Sequence, residues 1–275
     1  MSLAFIDTHA HIQGEEFAGD VAAVIERARE AGLEYIVVPG VDGKTSLAAV
    51  NRFLKDEAVY AAAGFHPHEA SRLDAGSSSG IESLLAHPKI VAVGEIGLDY
   101  YYEHSPRDDQ LACFQEMLRL AEKRRLPIIV HCREAWDDAA EVLAPWTRRV
   151  RDAYGDRPVG VMHYFSGTLE QALFYIDLGF LISIHTSVTH KKQSELRETV
   201  AQLPLDALVI ETDAPYGAPQ AYRGKRNEPA YVVEAAKQIA ELHGKSIAEV
   251  AAATSTNASR LFNLPIRAGT GGGSR

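Results

Sequence analysis

Ala4-Phe5-Ile6-Asp7-Thr8-His9-Ala10-His11 is an apolar run that ends in two histidines two positions apart. Alternate residues of an extended segment share a face, so His9 and His11 project the same way, and Asp7 with them. Two imidazoles side by side at a strand end form a chelate for a divalent cation. Alone, such a pair is more often surface or supporting histidines than ligands; further ligands arriving from other segments decide the matter.

The run recurs. After residues 3–8, similar β-branched, apolar stretches cover 35–39, 59–64, 90–94, 127–131, 159–163, 180–184 and 207–212. Amphipathic stretches at 20–31, 45–54, 108–124, 134–143, 169–178 and 194–202 lie between them. Short buried strands alternating with helices predict a parallel sheet with helices outside it. Eight such units in 275 residues predict a closed (β/α)8 TIM barrel. No Gly-x-Gly-x-x-Gly turn follows the first strand, which speaks against a dinucleotide fold. Residues 228–243 and 247–261 predict two closing helices, and Ser77–Gly80 a small flexible loop. The expected organisation is one hydrolase domain over 1–265 and a disordered Gly-rich tail over 266–275.

Composition sets the outer bounds. Hydrophobic residues make up 46% and charged residues 24%, a balance that supports a real core. No apolar stretch is long enough to span a membrane, and the N-terminus lacks a signal-peptide pattern. Cys113 in a helix-like segment and Cys132 in a strand-like one predict two reduced, packed thiols, and the expected location is the cytoplasm. A net charge of −9 excludes a protein that coats duplexes through overall basicity. It leaves room for an enzyme that grips a strand locally, because bound cations invert the field of an acidic site.

Barrel active sites form at the C-terminal ends of the strands. Strand one brings His9 and His11 there, strand three His66 and His68, and strand four Glu95 and Asp99. Strand five adds His131, strand six His163, and strand eight Glu211 and Asp213. Imidazole and carboxylate suit zinc and manganese, and carboxylate also suits magnesium. One carboxylate can bridge two ions, which at about 3.5–4 Å apart clamp the attacking and leaving oxygens of a displacement. The expected cofactors are two divalent ions, Mg2+, Mn2+ or Zn2+. His9, His11, Glu95 and Asp213 are assigned to one ion, and Glu95, His131 and His163 to the other. Glu95 and Asp213 are the expected catalytic carboxylates, with Asp213 taking a proton from the attacking water. Two divalent ions outweigh these carboxylates and draw in an anion such as a phosphodiester.

Around the ligands, Asp7, His68, Asp99 and Glu211 are expected to support and orient. His66 is expected at a phosphate, and Arg133 as a guanidinium clamp on one. Arg223, Lys225 and Arg226 form the strongest basic cluster of an acidic chain and are expected to contact nucleic acid.

Taken together, Asp7-Thr8-His9-Ala10-His11, Gly64-Phe65-His66-Pro67-His68, Gly94-Glu95-Ile96-Gly97-Leu98-Asp99, His131, His163, Glu211-Thr212-Asp213-Ala214-Pro215 and the 223–229 loop resemble the TatD family of metal-dependent deoxyribonucleases. The likeness runs in unbroken order from about residue 4 to residue 264. It implies a barrel, a one- or two-metal site and hydrolysis of DNA phosphodiesters, often from the 3′ end. The implied partner is single-stranded or frayed DNA, with no membrane and no stable protein partner. Two departures stand out. Met162-His163-Tyr164-Phe165 replaces a Cys-His-Cys-Phe-type run. His185 in Ser183-Ile184-His185-Thr186 puts an imidazole where the family usually has a small residue, a change bearing on substrate choice. His190, nearby, has no assigned role. Two rival readings keep the metal site: a D-aminoacyl-tRNA deacylase or other amidohydrolase-like enzyme, and a metal-binding partner protein without turnover. The complete ligand set speaks against the latter, and the basic loop favours phosphate over neutral amides.

Overall fold

In the computed structural model, which describes residues 3–265, the eight apolar runs are strands. These are β1 (Phe5–Asp7), β2 (Leu33–Pro39), β3 (Val59–Ala63), β4 (Ile90–Asp99), β5 (Ile128–Arg133), β6 (Gly160–Met162), β7 (Phe180–His185) and β8 (Leu208–Glu211). They pair in parallel in chain order. The helices between and after them are α1 (Val21–Glu30), α2 (Gly43–Arg52), α3 (Ala75–Leu84), α4 (Arg107–Arg124), α5 (Trp136–Tyr154), α6 (Leu169–Asp177), α7 (Ser194–Val200), α8 (Val232–His243) and α9 (Ile247–Phe262). The tail expected over 266–275 lies outside the described residues.

The sheet closes on itself just past its first and last strands. Thr8 N donates to the Ile210 carbonyl at 3.1 Å, and Asp213 N to the His9 carbonyl at 2.8 Å. Ala10 bridges Ala214. The expected (β/α)8 barrel is therefore the fold.

Strand alternation sorts the apolar side chains into two layers. Ile6, Val37, Ala92, Ile129, Val161 and Val209 form one cluster with Leu261 and Phe262 at the end of α9 and Leu264 just beyond it. Their alternates, such as Phe5, Val38, Val93, Val130 and Ile210, pack in the larger cluster beneath the helices. Ser255 Oγ donates to the Ala4 carbonyl, and Asn257 Nδ2 to those of Leu205 and Leu208. These contacts hold α9 against the N-terminal ends of the strands, so the barrel is plugged there. The opposite end is the open one.

Three elements differ from the sequence expectation. Strand β4 continues to Asp99 instead of stopping at 94. Its register against β5 slips between Val93 and Ile96, a bulge that contains Glu95. Bulges re-aim side chains next to active sites. Residues 77–80 lie inside α3 and are not a loop. Asp74 caps that helix in a reciprocal pair with Ser77, a local bond that offsets two glycines and four serines of poor helix propensity. Helix α5 runs through Pro145 to Tyr154, although proline removes one hydrogen bond. Burial of Leu143, Trp146, Val150 and Tyr154 on one helical face outweighs that loss.

The β4–β5 seam depends on Gly97, at φ +141°, where an added Cβ would sit 2.0 Å from the His131 carbonyl oxygen. Gly97→Ala is expected to cost about 3 kcal/mol through overpacking and backbone strain. Chemical denaturation of the chelator-treated protein measures it.

Candidate metal centre

Two donor groups share Glu95 across the open end of the barrel. His9 Nε2 lies 3.1 Å from His11 Nε2, 3.2 Å from Glu95 Oε2 and 3.6 Å from Asp213 Oδ1. His11 Nε2 is 3.5 Å from Asp213 Oδ1 and 3.7 Å from Glu95 Oε2. Donors that share an ion at 2.0–2.2 Å stand about 3.0–3.6 Å apart, and His9, His11 and Asp213 form a group that could hold one divalent cation, with Glu95 Oε2 beside it. The other carboxylate oxygen, Oε1, faces His131 Nδ1 at 2.9 Å, His66 Nε2 at 3.4 Å and His163 Nε2 at 3.6 Å. The donor atoms also group as His9, Glu95 and His163, and as His66, Glu95 and His131.

Hydrogen bonds distinguish ligand from donor among these rings. His66 Nδ1 accepts the His68 backbone N–H at 3.1 Å, which leaves the proton of the neutral ring on Nε2. That nitrogen is a donor toward Oε1, not a lone pair offered to a metal. His131 places Nε2 3.0 Å from Asp99 Oδ2 while Nδ1 meets Glu95, so a positive charge is needed on the ring or beside it. His163 Nδ1 lies 3.0 Å from Glu211 Oε2, and Tyr164 N donates to Glu211 Oε1 at 2.6 Å. Burial alone would lower the His163 pKa; Glu211, Glu95 and Asp213 outweigh it and push it up to about 10. Burial likewise opposes ionisation of Glu95, yet His163, His66 and His9 hold it well below the usual carboxylate range. Asp213 is held at about 2, against burial, chiefly by His11.

The supporting carboxylates act in different ways. Asp99 Oδ2 meets both His68 Nε2, at 2.9 Å, and His131, while Oδ1 accepts the N–H groups of Tyr101 and Tyr102. Asp7 touches no imidazole. Its Oδ1 accepts from His9 N and Thr212 N, and Oδ2 shares a 2.5 Å hydrogen bond with the Thr212 hydroxyl. It therefore fixes the backbone between β1 and β8, and His9 Nδ1 is buried with no partner.

The expected substrate contacts divide. Arg133 is exposed on the wall of a cleft of about 980 Å3 that contains the donor groups. Its guanidinium stands over the rings of Tyr101 and Tyr102, at 4.1 and 4.7 Å, and makes no ion pair among the described residues. Arg226 is committed elsewhere, in a two-pronged pair with Asp20 above the Phe17 ring. Lys225 lies over Tyr222, and none of Arg223, Lys225 and Arg226 lines the cleft. Sequence proximity to Asp213 does not carry this loop into the open end. His185 also stays out of the cleft. It is fully buried, its Nδ1 accepts from Ser187 N, its Nε2 donates to the Thr212 carbonyl, and it stacks on Tyr164. His190 Nε2 lies 2.8 Å from the Ala218 carbonyl.

Lys44 and Tyr216 line the cleft without having been singled out in the sequence, and Tyr164, noted there only as a departure from the family run, lines it too. β2 ends without a ligand-type residue, yet Asp42 and Thr45 form a capping box that sets the first turn of α2, with Lys44, on the wall. Tyr164 and Asp213 both have left-handed backbones, at φ +44° and +53°, directly beside the donors. Such strain gathers at functional sites.

Burial pushes the Asp7 pKa up to about 8 from 3.8, so the group is mostly neutral at pH 7 without metal. Its stabilising contribution is full below 3.8 and fades as pH rises to about 8. Asp7→Asn is expected to remove that slope, whereas Asp7→Ala loses about 3 kcal/mol by stranding buried donors. Denaturation of metal-free protein between pH 4 and about 8 separates the two.

Comparison with known proteins matches this arrangement to one family. The family model described as TatD related DNase covers residues 6–263. The chain is 40% identical to an uncharacterised metal-dependent hydrolase, YabD, of Bacillus subtilis, covering 94% of this chain and 98% of that one. It is 37% identical to the 3′-5′ ssDNA/RNA exonuclease TatD of a Rahnella species, over 94% and 97% of the two chains. The crystal structure of the TatD homologue YJJV from Escherichia coli superposes with a TM-score of 0.88 at 32% identity, covering 96% of this chain and all of that one. With the barrel, the donor groups and these relatives in agreement, the chain belongs to the TatD-related DNase family.

Proposed function

We propose that this chain is a divalent-metal-dependent phosphodiesterase that removes nucleotides from the 3′ end of single-stranded or frayed DNA. The observation that carries the reading is Glu95, whose two oxygens face two separate groups of nitrogen and oxygen donors. The exonuclease relative at 37% identity supports the nucleic-acid substrate.

His9, His11, Glu95 and Asp213 would hold one ion, and Glu95, His131 and His163 the second. Ions so held would acidify the attacking water and offset charge at phosphorus. The rest of the work belongs to side chains. Asp213, ionised and partly exposed, accepts the proton of the attacking water. His66, whose Nε2–H faces Glu95 Oε1, would turn that proton to a phosphoryl oxygen when substrate enters, a role its tautomer allows. Arg133 and Lys44 bring free positive charge to the cleft walls. No helix among the described residues is long and apolar enough to cross a membrane. Buried, unpaired Cys113 and Cys132 fit a reducing cytoplasm.

Chelator-stripped protein, restored with Mg2+ or Mn2+, is expected to shorten 5′-labelled single-stranded DNA from its 3′ end. Glu95→Ala should abolish this. Intact DNA alongside release of the amino acid from a D-aminoacyl-tRNA would replace the reading with the deacylase. Glu211→Gln, which loosens His163, should weaken metal affinity by about 10–100-fold in a calorimetric titration, without unfolding the chain.

A further inference from the structure

Three large aromatic side chains stand exposed around the open end of the barrel. Tyr101, Tyr102 and Tyr216 keep 53%, 51% and 58% of their surface in water. Tyr102 and Tyr216 line the metal-centre cleft, and Arg133 joins Tyr102 there. Tyr102 already lies parallel to the His104 ring at 5.6 Å, yet half of it stays in water; exposed ring surface of this size carries a hydration cost that a stacked base would relieve.

Their placement around the barrel is specific. Tyr216 follows β8, its N–H donating to the Asp213 carbonyl at 2.9 Å, and its ring meets His11 edge to face at 6.4 Å. Tyr101 and Tyr102 follow β4, where Asp99 Oδ1 accepts both their N–H groups. Arg133, at the end of β5, pairs in register with Asp99 and lies over both rings. Strands β8 and β1 stand across the barrel from β4 and β5. An aromatic surface therefore flanks the donors on each side, and each is tied through its backbone to a residue of the centre.

We infer that these are two base-stacking positions, Tyr216 on one side and Tyr102 with Arg133 on the other. They receive the bases of the two nucleotides that flank the scissile phosphate. Every nucleobase has a π-face, so such surfaces bind single strands with little regard to sequence. A base can reach them only when it is unpaired, which makes the substrate a strand separated on both sides of the cut. Arg133 then contributes a cation beside a stacked base as well as charge toward phosphate. This inference rests on the nuclease reading and deepens it by naming the side chains that receive the bases.

The test pairs variants with substrates that lack one base. Tyr216→Ala, Tyr102→Ala and the corresponding Phe variants are titrated with a fluorescent, phosphorothioate-blocked single-stranded oligonucleotide, read by anisotropy. Each Ala variant is expected to bind about tenfold more weakly, and each Phe variant close to wild type. In cleavage of unblocked strands, KM should rise more than kcat falls. An oligonucleotide abasic on one side of the cut should abolish the penalty of one Ala variant and leave the other. The opposite abasic position should reverse the pattern. If wild type cleaves single strands while both Ala variants keep their full penalty on every abasic substrate, stacking is wrong and the nuclease reading stands. Ala variants that bind and cleave like wild type likewise overturn stacking alone. A wild-type protein that neither binds nor cleaves nucleic acid overturns both.

Discussion

Glu95 keeps only 3% of its surface in water while its two oxygens face different groups of imidazoles. Burying a carboxylate in this way is tolerable only when positive charge surrounds it. The bulge in β4 delivers the side chain, and strands β1, β5 and β6 bring the rings. His163, held protonated by the carboxylates about it, supplies part of the positive charge in the protein alone. Were its Nε2 to ligate an ion, it would have to give up that proton, which would link metal affinity to pH through this ring.

Around Glu95, each further carboxylate fastens two things together. Asp99 joins His131 to the turn that displays Tyr101 and Tyr102. Glu211 joins the His163 ring to the backbone of Tyr164. Asp7 joins the first strand to the last. For Asp99 and Glu211 the same side chain positions a donor imidazole and shapes the cleft wall, whereas Asp7 acts on the backbone at the barrel seam. Changing Asp99 or Glu211 therefore disturbs a donor group and the cleft together.

Much of this was legible in the sequence because barrels place function at one end of every strand. The ligand-type residues His9, His11, Glu95, His131, His163 and Asp213 fall where the apolar runs stop, so their convergence needed only the strand count. What escaped the sequence depends on three-dimensional competition. Arg226 looked like a substrate contact until Asp20, some two hundred residues earlier, claimed it. Asp7 shares a face with His9 in an ideal strand, but Thr212 on the opposite edge of the sheet offers it better partners. The helix over residues 75–84 was hidden by glycine and serine and disclosed by one capping aspartate. The tautomer of His66 follows from a single backbone N–H, which no spacing rule predicts.

Closure between β1 and β8 has one more consequence. In the donor group of His9, His11 and Asp213, the two histidines follow β1 and the aspartate follows β8, about two hundred residues later. Contacts of such sequence separation form late, since the chain must pay for the loop before the pairing rewards it. Domains also emerge from the ribosome N-terminal part first. A nascent chain therefore carries His9, His11 and Glu95 without a completed centre until β8 has emerged. The eighth strand of the barrel is the one that completes it.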